Sequence, residues 1–241
     1  MGKIIKNLIS SNGYNNSNSS RTVSFANGGT YLVVSAIGGA SGTNYGAITM
    51  SGGTQIYTEH GSIRSGVYSS YNQFVGLRSY IANGNGSFSV SSSFQNPNHC
   101  RSQNIIAYEL EPISSYTTNT SITYNTEGTR TYTLNKGLYI VTTAVCGGNN
   151  DTSYAQISVS ANKNAIIDEF NNPKSYGSGD YTSYLGSCCF EIEVVEDSTT
   201  LSITTLRNGS KSVAVATQII KVNAYKVTAE ASPNGSGTFS N

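Results

Sequence analysis

"RTVSFANGGTYLVVSAIGGASGTNY", residues 21–45, has a close relative further along the chain, "RTYTLNKGLYIVTTAVCGGNNDTSY", residues 130–154. The offset, 130 − 21 = 109, also superposes Gly38 and Gly39 on Gly147 and Gly148, Tyr45 on Tyr154, Ile48 on Ile157 and Ser51 on Ser160. A one-residue slip inside the block brings Tyr31, Val33 and Ala36 over Tyr139, Val141 and Ala144. Further on the offset is 113, where "YSSY" at 68–71 meets "YTSY" at 181–184 and "SFSV" at 87–90 meets "TLSI" at 200–203. "IIAYELEP" and "KVNAYKV" close the two halves and share an Ala-Tyr pair, Ala107-Tyr108 and Ala224-Tyr225. Solenoid repeats run at about 20–50 residues, so a period this long points instead to two copies of one domain.

The expected organisation is an N-terminal attachment arm at 1–20, a β-sandwich at 21–112, a linker at 113–128, a second sandwich at 129–228 and a C-terminal tail at 229–241. Runs rich in Val, Ile, Thr, Tyr and Phe recur between Gly, Asn and Pro, and no stretch keeps a helical period. The chain therefore reads as all-β, with seven or eight strands per copy. "ANGGTY" from Ala26, "NGNGSF" from Asn83 and "RNGSK" from Arg207 are turn signals, because Gly and Asn tolerate positive φ. "CFEIEVV" at 189–195 alternates Phe190, Ile192 and Val194 with Glu191 and Glu193, which predicts one dry and one wet face. Short antiparallel strands must hide one face, and a two-layer sandwich does so. Immunoglobulin-like and jelly-roll topologies both fit. The chain has no Trp and no Cys spacing that recurs in both copies, which favours the jelly roll.

Charged residues make up only 11% of the 241 and the formal net charge is +1, so a basic footprint for nucleic acid is missing. No window approaches the roughly 18 apolar residues of a spanning helix, and "MGKIIKNLISS" lacks the apolar core of a signal peptide. Cys100, Cys146, Cys188 and Cys189 make no metal-ligand pattern. Vicinal cysteines in a strand point to opposite faces, so they read as small, reduced core residues. Neither a metal nor an organic cofactor is expected.

Catalysis finds little to stand on. His60 and His99 are the only histidines, and neither lies in a nucleophile motif. Glu59, Asp151, Asp168, Glu169 and Asp180 are carboxylates that could in principle pair for glycan hydrolysis. Yet "IIDEF", with Asp168 and Glu169, has as its counterpart "IYTEHG", which keeps only Glu59. "GGNNDTSY" at 147–154 has calcium-type oxygens, but its sister "GGASGTNY" has no carboxylate, and turn chemistry explains both. The remaining lead is 17 tyrosines. Tyr45, Tyr68, Tyr71, Tyr154, Tyr181 and Tyr184 lie in or beside Gly/Ser/Asn-rich loops, where rigid rings among small neighbours make contact surfaces for a sugar or a subunit.

"RTVSFANGGTYLVV" and "RTYTLNKGLYIVTT" resemble the strand, turn, Gly-x-Tyr, strand element of complement-head and tumour-necrosis-factor-like jelly rolls and of β-sandwich modules in bacteriophage virion proteins. The fuller resemblance, a Ser/Thr/Asn/Gly-rich all-β chain with a polar N-terminal segment and repeated sandwiches, is to the phage structural proteins. It implies a non-enzymatic virion component assembled in the host cytoplasm: a capsid decoration, fibre, collar or tail subunit. Its partners would be copies of itself and other virion proteins, with a host surface glycan as a further partner and neither nucleic acid nor membrane insertion. The alternative is a carbohydrate-binding adhesin or receptor-binding module for cell-surface glycans.

Overall fold

The computed structural model describes residues 4–15, 20–40, 46–52, 54–68, 71–94, 101–124, 128–148, 155–170, 174–176, 183–207 and 213–225. All elements among them are β-strands, and every pairing is antiparallel. Antiparallel sheets with apolar interiors fit a β-sandwich.

The first six strands are β1 (Ile5–Asn15), β2 (Ser20–Ala40), β3 (Gly46–Ser51), β4 (Thr54–Tyr68), β5 (Tyr71–Phe94) and β6 (Arg101–Leu110). Their order is β1-β6-β2-β5-β3, with β4 also on β5. At 21 and 24 residues, β2 and β5 are several times the usual strand length, because each serves two layers. A register shift between Phe25 and Gly29 marks the bend. Before it β2 runs beside the far half of β5, and after it β2 lies between β5 and β6. "ANGG" and "NGNG" thus form a bulge inside continuous strands, with Gly29 paired to Gly84, rather than hairpin turns.

The remaining nine strands are β7 (Ile113–Tyr124), β8 (Gly128–Leu134), β9 (Gly137–Gly148), β10 (Ala155–Ala161), β11 (Ala165–Phe170), β12 (Lys174–Tyr176), β13 (Ser183–Val194), β14 (Thr199–Arg207) and β15 (Val213–Tyr225). They make one sheet ordered β11-β13-β9-β15-β7, with β12 also on β13, and another ordered β10-β14-β8. Here the bends have become breaks. Ser198 takes φ 57°, Lys136 N–H donates to Asp197 Oδ1 at 2.7 Å, and β8/β9 and β13/β14 stand where β2 and β5 each run through.

Three apolar cores separate these layers. One lies within the first six strands around Val23, Phe25, Tyr31, Val33, Phe88 and Val90, where Phe25 and Phe88 meet edge to face. A second lies between the two later sheets, around Tyr139, Val141, Phe190, Ile192, Leu201 and Ile203. The third joins the halves: Leu32, Val34, Leu77, Ile81, Ile106 and Tyr108 bury against Ile140, Ala144, Leu185, Ala214, Ala216 and Ile220. Alternate residues of β2 therefore go to different cores, Tyr31 and Val33 to one and Leu32 and Val34 to the other. Full burial of each such side chain contributes about 1.5–3 kcal/mol.

Several expectations change accordingly. Residues 113–128 are not a free linker, since 113–124 form β7, hydrogen-bonded along β15. Within the expected attachment arm at 1–20, the described residues 4–15 are tied to the sheet: β1 pairs with β6, and Glu111 N–H donates to Ile4 O at 2.8 Å. The supposed wet face of "CFEIEVV" is dry at Glu191, which is 5% exposed because its strand is covered on both sides. Its Oε2 accepts the Ile5 N–H at 2.9 Å, tying β1 to the other half. The Ala-Tyr pairs are not equivalent in register: Ala107 sits opposite Val33, but the residue opposite Val141 is Ile219, not Ala224. Among the described residues the first expected sandwich holds five strands, β2–β6, fewer than the seven or eight expected, and the second holds eight, β8–β15. Cys146, Cys188 and Cys189 are buried thiols, with Cys188 and Cys189 in different cores as vicinal strand residues must be; Cys100 lies outside the described residues.

Contacts across the central core are reciprocal. β13 meets β2 as β5 meets β9, β13 meets β6 as β5 meets β15, and β1 meets β12 as β7 meets β4. That is the pattern of an approximate two-fold axis. Counting from the shared Tyr-x-Val, Gly38 and Cys146 each lie seven residues on (38 − 31 and 146 − 139), and they face each other. A Cβ on Gly38 would lie 2.7 Å from Cys146 Sγ, so only one of the two positions can carry a side chain. Polar side chains in this core also meet one another. In one row Ile106, Val34 and Ser79 are neighbours, and in the other Gln218, Thr142 and Cys189. Ser79 Oγ donates to Gln218 Oε1 at 2.6 Å, and Gln218 Nε2 donates to Leu77 O at 3.2 Å. Elsewhere Asn104 Nδ2 donates to Leu185 O, also at 3.2 Å.

Two outcomes test this packing. Gly38→Ala should destabilise by about 1–3 kcal/mol through overpacking, and Cys146→Gly in the same chain should recover part of that loss beyond its own effect, read as a coupling term in denaturant melts. Glu191→Ala strips the Ile5 amide of its acceptor; we expect a loss of about 1–3 kcal/mol and faster amide exchange at the start of β1.

Candidate functional site

The tyrosines singled out from the sequence come only partly into view. Tyr45, Tyr154 and Tyr181 lie outside the described residues. Tyr68 and Tyr71 are cross-strand partners where β4 meets β5, and Tyr184 pairs with Tyr176 and with Gly147; for these three the structure describes the backbone alone. His60 pairs in register with Arg78 on β5, while His99, Cys100, Asp151 and Asp180 are outside the described residues. The strand register sets Asp168 opposite Glu191 and Glu169 opposite Phe190, and for Glu169 the structure describes the backbone alone. Glu191 is occupied by the Ile5 amide and covered by β1, which keeps a substrate from it. No group of three or more His, Cys, Asp or Glu gathers as a metal site among the described residues.

Three interior groups, Cys189, Tyr108 and Tyr116, are held in their neutral forms. Burial pushes the Cys189 thiol far up, with the Glu191 carboxylate adding to the effect. Burial likewise raises the Tyr108 and Tyr116 hydroxyls well above their usual range. A thiol kept protonated and enclosed is inert as a nucleophile. At the surface, Glu109 is held below the usual carboxylate range by the Asn7 side chain at 3.0 Å and, secondarily, by Lys6.

Among the described residues, two outer sheet faces carry rows of exposed hydroxyls. Strand alternation sends Leu201, Ile203 and Ile157 inward and their neighbours outward. Outward rows of the second half run Ser158–Thr204–Thr129, Ser160–Ser202–Thr131 and, at the end, Thr200–Thr133 beside Asn162. Eight of these nine positions carry a hydroxyl and none a charge. The first half presents the same kind of face beyond its bend: Ser20–Ser91–Thr49, Thr22–Ser89–Ser51 and Ser24–Ser87. Some hydroxyls are bound laterally, Thr129 Oγ1 to Thr204 Oγ1 at 2.8 Å and Ser20 Oγ to Ser89 Oγ at 2.9 Å. Neighbouring strands stand about 4.8 Å apart, and like-facing residues repeat about every 6.7 Å along each strand. Each face is therefore a neutral lattice of groups that both donate and accept. Sequence reading passed over it in favour of Tyr, although the alternation "TRTYT" at 129–133 carries the signal.

No family model matches the chain, and neither do any of the curated proteins or solved structures.

If these hydroxyls serve contact rather than folding, removing them should cost little. Ser160→Ala and Ser202→Ala are each expected to shift stability by no more than about 0.5 kcal/mol, measured by denaturant melts.

Proposed function

We propose that the chain is two jelly-roll-like sandwiches of common descent, fused through their inner sheets. In this reading it serves as a non-enzymatic structural subunit of a phage virion, in a capsid decoration, fibre, collar or tail. Common descent is supported by the shared strand order, since β8 and β9 stand for β2, β13 and β14 for β5, and β15 for β6. The reciprocal contacts of the central core support it too.

The observation that carries the functional reading is the pair of neutral hydroxyl lattices on opposite outer layers of a stiff block. Flat, uncharged faces suit contact between subunits, and inside the block Ser79, Gln218, Asn104 and Glu191 bond across the layers. Contacts with copies of itself and with other virion proteins follow, and the virion is where it would act.

Multi-angle light scattering with electron microscopy of the purified chain, and a search for the chain in virions, test the proposal. A concentration-dependent assembly, or a fixed copy number per particle, is expected. A chain that stays monomeric, is missing from particles and is retained on a glycan array would replace this reading with the carbohydrate-binding one.

A further inference from the structure

We propose that the outward face of the β10-β14-β8 sheet is a self-association surface, docking on the same face of a second copy about a two-fold axis. The inference rests on the assembly reading and specifies its contact.

A two-fold contact places one patch against itself, so the patch must be self-complementary. Charged faces fail this test because like meets like. A hydroxyl lattice passes it, since every Ser or Thr both donates and accepts. The strand spacings are the same in every copy, so the rows of one lattice fit between the rows of another. Association also orders little, because Thr is stiff about χ1 and Ser has a short side chain. The Thr129–Thr204 bond already fixes one corner. Net charge +1 leaves no long-range repulsion between copies.

The second-half lattice is favoured over the first for two reasons. Its outward positions include Thr129, Thr131, Thr133, Thr200 and Thr204, whose methyl groups make the face less wet than the Ser-dominated lattice of the first half. Leu206 continues the outward series of β14 and is 47% exposed, an apolar side chain at the end of the hydroxyl rows. At about 14 Å by 20 Å, from strand spacing and rise, the face is small, so the contact is weak and association shows at high concentration.

Sedimentation or light scattering across a concentration series of the full chain reads the contact. Ser202 lies in the middle row, so Ser202→Lys puts two like charges near the two-fold axis and should weaken association at least tenfold. Mixing Ser202→Lys with Ser202→Glu copies should restore it. Thr131→Lys should act like Ser202→Lys, whereas Thr22→Lys on the other lattice should leave association unchanged. Unaltered melting curves would show that all variants fold. If the wild type associates and neither lysine variant on this face weakens it, the face assignment is overturned while the assembly reading stands. If the wild type stays monomeric at every concentration, the self-association proposal falls, and the presence of the chain in virions then decides the assembly reading separately.

Discussion

Everything in this protein follows from two inner sheets that are buried on both faces. A sheet with one wet face can alternate apolar and polar residues; β9 and the part of β2 after its bend cannot, because Leu32 and Val34 go to the central core while Tyr31 and Val33 go to the core on the other face. The same demand explains the contact of Gly38 with Cys146. Two strands crossing near a pseudo-two-fold axis bring equivalent positions together, and close packing leaves room for only one side chain.

Polar groups inside such a core have to find partners, since an unpaired buried hydroxyl or amide costs about 1–3 kcal/mol. Ser79, Thr142 and Gln218 solve this jointly across the central layer, and Glu191 does so by capturing the first amide of β1. These bonds have directions and so fix how the sheets are stacked, which apolar contacts alone do weakly. In the same interior the Cys189 thiol and the Tyr108 phenol are driven to their protonated forms by desolvation. What is left for contact with other molecules is the outer surface, where alternation has placed Ser and Thr in rows.

How far the sequence spoke can be traced residue by residue. The "RTVSFANGGTYLVV" and "RTYTLNKGLYIVTT" blocks were legible as strands, and Arg21 and Arg130 sit in β2 and β8, opposite Val90 and Ile203. Cys188 and Cys189 were legible as buried residues on opposite faces. The hydroxyl rows were legible too, in the period of "TRTYT", but one strand shows one row and a lattice needs three strands in register. Loop tyrosines drew the attention instead because aromatic rings stand out singly.

The sequence by itself determined the all-β class, the alternation of faces along each strand and the low charge, because those depend on local residue chemistry and a period of two. Only the tertiary structure decided that the "linker" is a sheet edge, that Glu191 faces a neighbour rather than water, and that the halves share a core. Each of these depends on what packs against a strand from another layer, and the pattern within that strand carries no record of it.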